Sequence, residues 1–118
     1  MPFEFVLDLL YPLEPTTRKM FGVEALYIGE KIYFALRKRD TNLEDNGVWI
    51  GTELEWHESL RAEFPALRPL QNIPIKKWLV IPEESDEFEE TVEQICALIK
   101  KGDERIGVLP KKKKKKTK

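Results

Sequence analysis

The sequence predicts an α+β fold: an antiparallel β-sheet built round a central β-hairpin and flanked by N-terminal, middle and C-terminal helices. Three observations carry this expectation. Two β-rich runs flank Gly29-Glu30, which reads as a two-residue hairpin loop. Apolar residues recur at helical spacing in three separate stretches. Short apolar runs, "VWIGT" and "KKWLVIP", supply two further strands between them.

The elements follow in order. "FEFVLDLLYP" puts Phe3, Val6, Leu7 and Leu10 on one helical face, and Pro12 ends that helix. In the hairpin, the loop pairs Ile28 with Lys31, Tyr27 with Ile32, Ala25 with Phe34 and Val23 with Leu36. Phe21, Val23, Ala25, Tyr27, Ile32, Phe34 and Leu36 then form a period-two core face. The opposite, exposed face carries Met20, Glu24, Leu26, Tyr33, Arg37 and Arg39. "DTNLEDNG" is a polar loop that turns at Asn46-Gly47. In "TELEWHESLRAEFPAL", Thr52 and Glu55 make a capping box for a helix whose stripe is Trp56, Leu60 and Phe64. Pro65, Pro69 and Pro74 mark a loop or edge segment after it. In the strand that follows, Trp78 and Val80 face one way and Leu79 and Ile81 the other. A strand apolar on both faces is central or covered. Ser85 caps the last helix, whose stripe is Phe88, Val92, Ile95, Cys96 and Ile99, and Gly102 stops it.

These elements fill one domain, 1–110, followed by a disordered poly-lysine tail, 111–118. The net charge of −1 hides a split. Seven of the 20 Lys and Arg lie in the tail, which leaves 13 against 21 acidic residues in the body, a net of −8. Such a body repels phosphate at long range, so only the tail or a local basic patch attracts it. No stretch approaches the ~20 apolar residues of a membrane span, and the N-terminus lacks a basic signal-peptide start. One cysteine excludes an internal disulfide and suits a reducing compartment, so the expected location is cytoplasmic.

Catalytic patterns are absent. His57 is the single histidine and is expected on the solvent side of its helix; Cys96 lies on an apolar stripe as an inert thiol. Without further Cys or His there is no zinc set, and the acidic run "EESDEFEE" lacks the spacing of a calcium loop. No glycine-rich phosphate loop or nucleophile elbow occurs. The expectation is a non-enzyme with no cofactor and no metal.

Two binding surfaces remain. Arg18, Lys19, Arg37, Lys38 and Arg39 cluster at the open end of the hairpin, beside Tyr33, where cations hold phosphate and an aromatic stacks a base. Glu24 and Asp40 compete as partners for these cations. The tail, Lys111, Lys112, Lys113, Lys114, Lys115 and Lys116, reads in three ways: a solvated end, a tether to nucleic acid or another acidic surface, or a clasp on Glu83 to Glu93. The second surface is the exposed hairpin face at Leu26 and Tyr33, which suits a protein partner or a homodimer.

"RKMFGVEALYIGEKIYFALR", "NGVWIGT", "HESLRAEFPAL" and "KKWLVIP" resemble the TfoX/Sxy amino-terminal domain family and its MmcQ/YjbR-like relatives, over about Arg18 to Gly107. Phe21-Gly22, the Gly-Glu-Lys hairpin and Trp78 carry the resemblance most specifically. It implies a bacterial α+β protein, with one antiparallel sheet and flanking helices, whose relatives have no established enzymatic activity. Some relatives are competence regulators with a second, helical domain, where this sequence has lysines; others have been suggested to bind DNA. The functional expectation is therefore a non-catalytic binding or regulatory module that contacts nucleic acid non-specifically through charge. The alternative is a protein-interaction module or homodimer using the hairpin face.

Overall fold

The structure is a computed structural model that describes residues 1–20 and 22–110. Phe21 and the lysine tail lie outside the described residues. The elements are α1 (Phe5–Leu10), β1 (Thr16–Met20), β2 (Val23–Ile28), β3 (Lys31–Arg37), β4 (Gly47–Gly51), α2 (His57–Glu63), β5 (Trp78–Pro82) and α3 (Phe88–Lys100). All neighbouring strands pair antiparallel in the order β1-β2-β3-β4-β5, so the α+β expectation holds.

The three helices share one face of the sheet. Val6 and Leu10 of α1, Leu60 of α2, and Val92, Ile95, Cys96 and Ile99 of α3 pack on Leu26, Phe34, Leu36, Val48, Ile50, Leu79 and Ile81. Each fully buried aliphatic side chain contributes roughly 1.5–3 kcal/mol relative to exposure. The rings of Phe3 and Phe5 meet Phe88 at 5.3 and 6.2 Å and join the first helix to the last. A Schellman motif ends α3: the Asp103 N–H donates to Leu98 O at 3.0 Å, and the Gly102 N–H to Ile99 O at 2.9 Å. Gly102 takes the left-handed φ of 85° that this motif requires.

The other face has no helix. Val23, Ala35, Trp49 and Val80 are covered instead by Leu70 and Ile73 of the loop after α2, together with Met20 and Trp78. That loop is held by one buried carboxylate. Asp45 is fully buried, and its two oxygens accept the N–H groups of Gln71 and Asn72, each at 2.8 Å. Arg68 stands 3.9 Å from the same carboxylate. Arg68 also pairs with Val80 through two backbone hydrogen bonds, Arg68 N to Val80 O at 3.1 Å and Val80 N to Arg68 O at 2.8 Å. The outer side of β5 is therefore covered, which accounts for its being apolar on both faces.

The hairpin departs from the register read in the sequence. Ile28 pairs Lys31 and Tyr27 pairs Ile32 as expected, but the register then shifts, and Leu26 pairs Phe34, Ala25 pairs Ala35 and Glu24 pairs Leu36. Tyr33 is the extra residue on β3. Because strand side chains alternate, one inserted residue transfers everything beyond it to the opposite face. Phe34 and Leu36 thus join Leu26 in the helix-covered core, while Val23, Ala25 and Ile32 face the other way.

Two caps also differ. Thr52 is buried and its N–H pairs with Lys77 O at 2.9 Å, so it extends the β4–β5 ladder. Its hydroxyl does not cap α2, and Leu54–Trp56 form a 3₁₀ turn before the helix begins at His57. Ser85 acts one turn before α3, where its Oγ accepts the Glu87 N–H at 3.1 Å; the N-cap residue is Glu87, whose own side chain makes no capping hydrogen bond.

Candidate binding edge

β1, with the sequence TTRKM, is paired on one side only among the described residues. Thr16 to Lys19 are exposed on both faces of the strand. The Lys19 side chain is 88% exposed and reaches to 4.0 Å from Glu24, its cross-strand partner. The Arg18 guanidinium lies 5.2 Å from the centre of the Tyr27 ring on the opposite face, a cation–π contact that leaves its N–H groups accessible. Strand polarity sets this surface. Five residues with no buried apolar side chain cannot be drawn under a core layer, so the strand stays outermost.

The remaining predicted cations separate. Arg37 is 4% exposed. One of its nitrogens donates to Asn42 O at 3.0 Å and to Asn46 Oδ1 at 2.9 Å, and the other donates to Thr41 O at 3.0 Å. It holds the β3–β4 loop and offers no donor to a phosphate. The expectation of Arg37 as a nucleic-acid contact is corrected by this burial. Asn46 completes the clamp by pairing with both backbone groups of Arg39 at 2.9 Å. Lys38 is ion-paired with Glu83. Arg39 is exposed, with no acidic group within ion-pair distance among the described residues, and its guanidinium lies over Gly22. A hollow of about 320 Å³ lined by Gly22, Lys38, Arg39, Asp40 and Thr41 opens there.

The predicted apolar surface is also corrected. Leu26 is completely buried, because the helices cover the face of β2 opposite Val23 and Ala25. Tyr33 is half-buried against the main core, and its ring lies against Gly107, where an added Cβ would stand 2.9 Å away. Gly107 belongs to a C-terminal strap. Val108 exchanges both backbone hydrogen bonds with Ile32, and the Gly107 N–H donates to Gly51 O at 2.6 Å. The strap is locked by Arg105, which binds both Asp103 oxygens at 2.9–3.0 Å, Ser59 Oγ at 2.8 Å and Glu63 Oε1 at 2.9 Å. The Arg105 hydrogen bond holds the Asp103 carboxyl below the usual carboxylate range. The hairpin face at Leu26 and Tyr33 is therefore interior or strapped over.

Of the two reactive side chains, Cys96 is 1% exposed, and burial pushes its thiol up to about 12, with Lys100 opposing and Glu93 adding to the rise. His57 is half-buried rather than free at the surface. Its Nε2 donates to the Thr52 carbonyl at 2.8 Å, tying α2 to the end of β4. Beside it runs an open groove of about 670 Å³, with Leu54, Arg61, Pro65 and Leu67 in its walls. Among the described residues, no three His, Cys, Asp or Glu side chains converge as metal ligands do, and no helix is long and apolar enough to cross a membrane. The buried anchors Asp45 and Asn46 were missed in the sequence, which shows only a polar loop there. The free outer side of β1 was missed as well; its signal was a short strand-forming run with no apolar alternation.

Compared with protein-family models, with curated proteins and with solved structures, the chain matches none.

Proposed function

We propose that the chain is a non-catalytic, cytoplasmic protein-interaction module that takes a partner on the free side of β1. The observation that carries this reading is the difference between the two ends of one sheet. β5 is paired on its outer side through Arg68, while β1 exposes a row of backbone donors and acceptors unpaired among the described residues. The lone buried thiol supports a reducing location. The resemblance to the TfoX/Sxy amino-terminal domain family supports a regulatory, non-enzymatic role. Photo-crosslinking tests the reading. A photoreactive residue at position 17 is expected to give discrete adducts in cells, while one at Glu93 on exposed α3 gives none. Equal yields from both positions, or none from position 17, overturn the reading.

A second reading is non-specific contact with nucleic acid through charge. It is favoured by Arg18 and Arg39, both exposed and both without an ion-pair partner among the described residues. Lys19 adds a third cation, and the lysines of 111–116 lie outside the described residues. Three contacts from the body predict a slope of log affinity on log salt of roughly −3 on duplex DNA. Fluorescence anisotropy across a salt series, comparing the full chain with one ending at Pro110, measures it. Binding that vanishes with the tail assigns the contact to the lysines, and binding unaffected by salt rejects charge as its origin.

A further inference from the structure

The free edge is selective in what it can pair with. Resting on the edge-strand reading above, we infer that its occupant is an extended acidic segment of a partner protein, added antiparallel to β1 as a sixth strand, and not a second copy of this chain.

Symmetry restricts how two copies can pair at this edge. Two copies that join edge to edge as antiparallel strands are related by a two-fold axis perpendicular to the sheet. That operation keeps each face on its own side, so residues directly opposite must have sequence numbers that sum to an even value. The one register that overlaps all five residues pairs Thr16 with Met20, Thr17 with Lys19, and Arg18 with Arg18 of the copy. Shifting it by one pair in one direction sets Lys19 opposite Lys19, and shifting it the other way sets Thr17 opposite Thr17 but shortens the overlap. Like charges directly opposite destabilise a sheet pair, and lysine or arginine on an edge strand is a recognised guard against self-pairing. The edge is therefore built against its own kind.

The same two residues favour an acidic guest. Arg18 and Lys19 are consecutive, so they stand on opposite faces of β1, and a guest satisfies both only by placing two consecutive acids across from them. Neither cation is committed. Arg18 lies over Tyr27 with no carboxylate partner among the described residues, and Lys19 holds Glu24 only at 4.0 Å with 88% of its side chain in solvent. Thr16 and Thr17 supply β-branched neighbours that suit a threonine or valine on the guest. Backbone hydrogen bonds supply affinity for any extended segment, and the cations choose among them.

The test uses the full chain and a capped peptide, Val-Thr-Glu-Glu-Thr-Val, with Val-Thr-Lys-Lys-Thr-Val as its charge-reversed counterpart. Backbone amide NMR is expected to show shifts confined to residues 16–20 and their β2 partners, with the acidic peptide about tenfold tighter than the basic one. The doubly reversed protein, R18E with K19E, is expected to invert that preference; both positions are exposed, so the fold is retained. N-methylation of alternate peptide amides provides the backbone signature. One set of alternate amides abolishes binding, and the other leaves it unchanged.

Each other result overturns a distinct part. Equal binding of both peptides at residues 16–20 leaves the edge reading standing and removes the acidic choice. Binding of the acidic peptide that shifts no amide in β1, or that both methylated sets retain, removes edge pairing altogether. Protection of β1 amides that grows with protein concentration and without peptide assigns the edge to a second copy. Duplex DNA that displaces the peptide and shifts the same amides assigns the cations to nucleic acid.

Discussion

The two edges of the sheet match in length and differ in composition, and they end differently. β5 and β1 are both five-residue strands at the end of the same antiparallel order. β5 is apolar, and its outer side is covered by a loop that depends on the buried Asp45 carboxylate and on the Arg68–Val80 bridge. β1 is polar and has no such cover among the described residues. The difference teaches that a loop without helix or strand can close a sheet face and an edge. It needs a polar anchor that satisfies its backbone and a few apolar residues, here Leu70 and Ile73, to lie on the sheet.

The comparison can be broken first at its anchor. Asp45→Ala removes the buried carboxylate that accepts the N–H groups of Gln71 and Asn72 and leaves both without that acceptor. It is expected to cost about 3 kcal/mol in urea unfolding and to release the amide protection of Arg68 and Val80. A loss below ~1 kcal/mol would mean that apolar contacts alone hold the loop. Arg37→Leu comes next, at about 2 kcal/mol, because Thr41 O, Asn42 O and Asn46 Oδ1 all lose a charged donor. An unchanged midpoint for this variant would instead make Arg37 available for ligand binding.

Proton linkage sharpens the comparison at a third place, the strap. Arg105 depresses the Asp103 carboxyl. Its contribution is present above the ordinary aspartate range and is lost as pH falls through the depressed folded value. Asp103→Asn should flatten the acid limb of the stability curve, leaving the variant less stable than wild type at neutral pH and bringing the two together as pH falls through the depressed value. Cys96 has the opposite sense, because burial raises its thiol from 9.0 to about 12. Its contribution is complete below pH 9 and is lost as pH rises toward 12, so wild type and Cys96→Ala should diverge only in that window, as read by denaturant midpoints across alkaline pH. The smallest effect belongs to the open edge. Arg18→Ala should move stability by no more than ~0.5 kcal/mol, and the β1 amides should exchange faster than those of β5 in the unmodified protein. Slow exchange throughout Thr16–Met20 would show that the edge is covered in solution.

Much of the scaffold was legible in the residues. Local signals act over a few positions, so the Gly29-Glu30 turn, the stripe from Phe88 to Ile99 and the stop at Gly102 could all be read directly. The candidate site was legible only in part. Arg18, Lys19 and Arg39 are exposed as expected, but Arg37 and Leu26 are not, and nothing local distinguishes them. Arg37 and Arg39 share an alternation pattern and a charge; one is buried because Asn46 and the loop carbonyls surround it. Phe34 and Leu36 changed sides because a single residue, Tyr33, bulges out of β3, and the helices cover the face they then share with Leu26.

The sequence by itself determined the three helices, four of the five strands in their order, the hairpin turn, and the separation of an acidic body from a basic end, but not β1 as a strand of its own. These depend on periodicity, turn chemistry and composition, which are properties of neighbouring residues. Tertiary structure alone decided the bulged register, the burial of Asp45 and Arg37, the loop that covers β5 and the edge left free at β1. Those depend on which distant backbone groups find partners, and a strand's alternation is compatible with either face until its neighbours choose one.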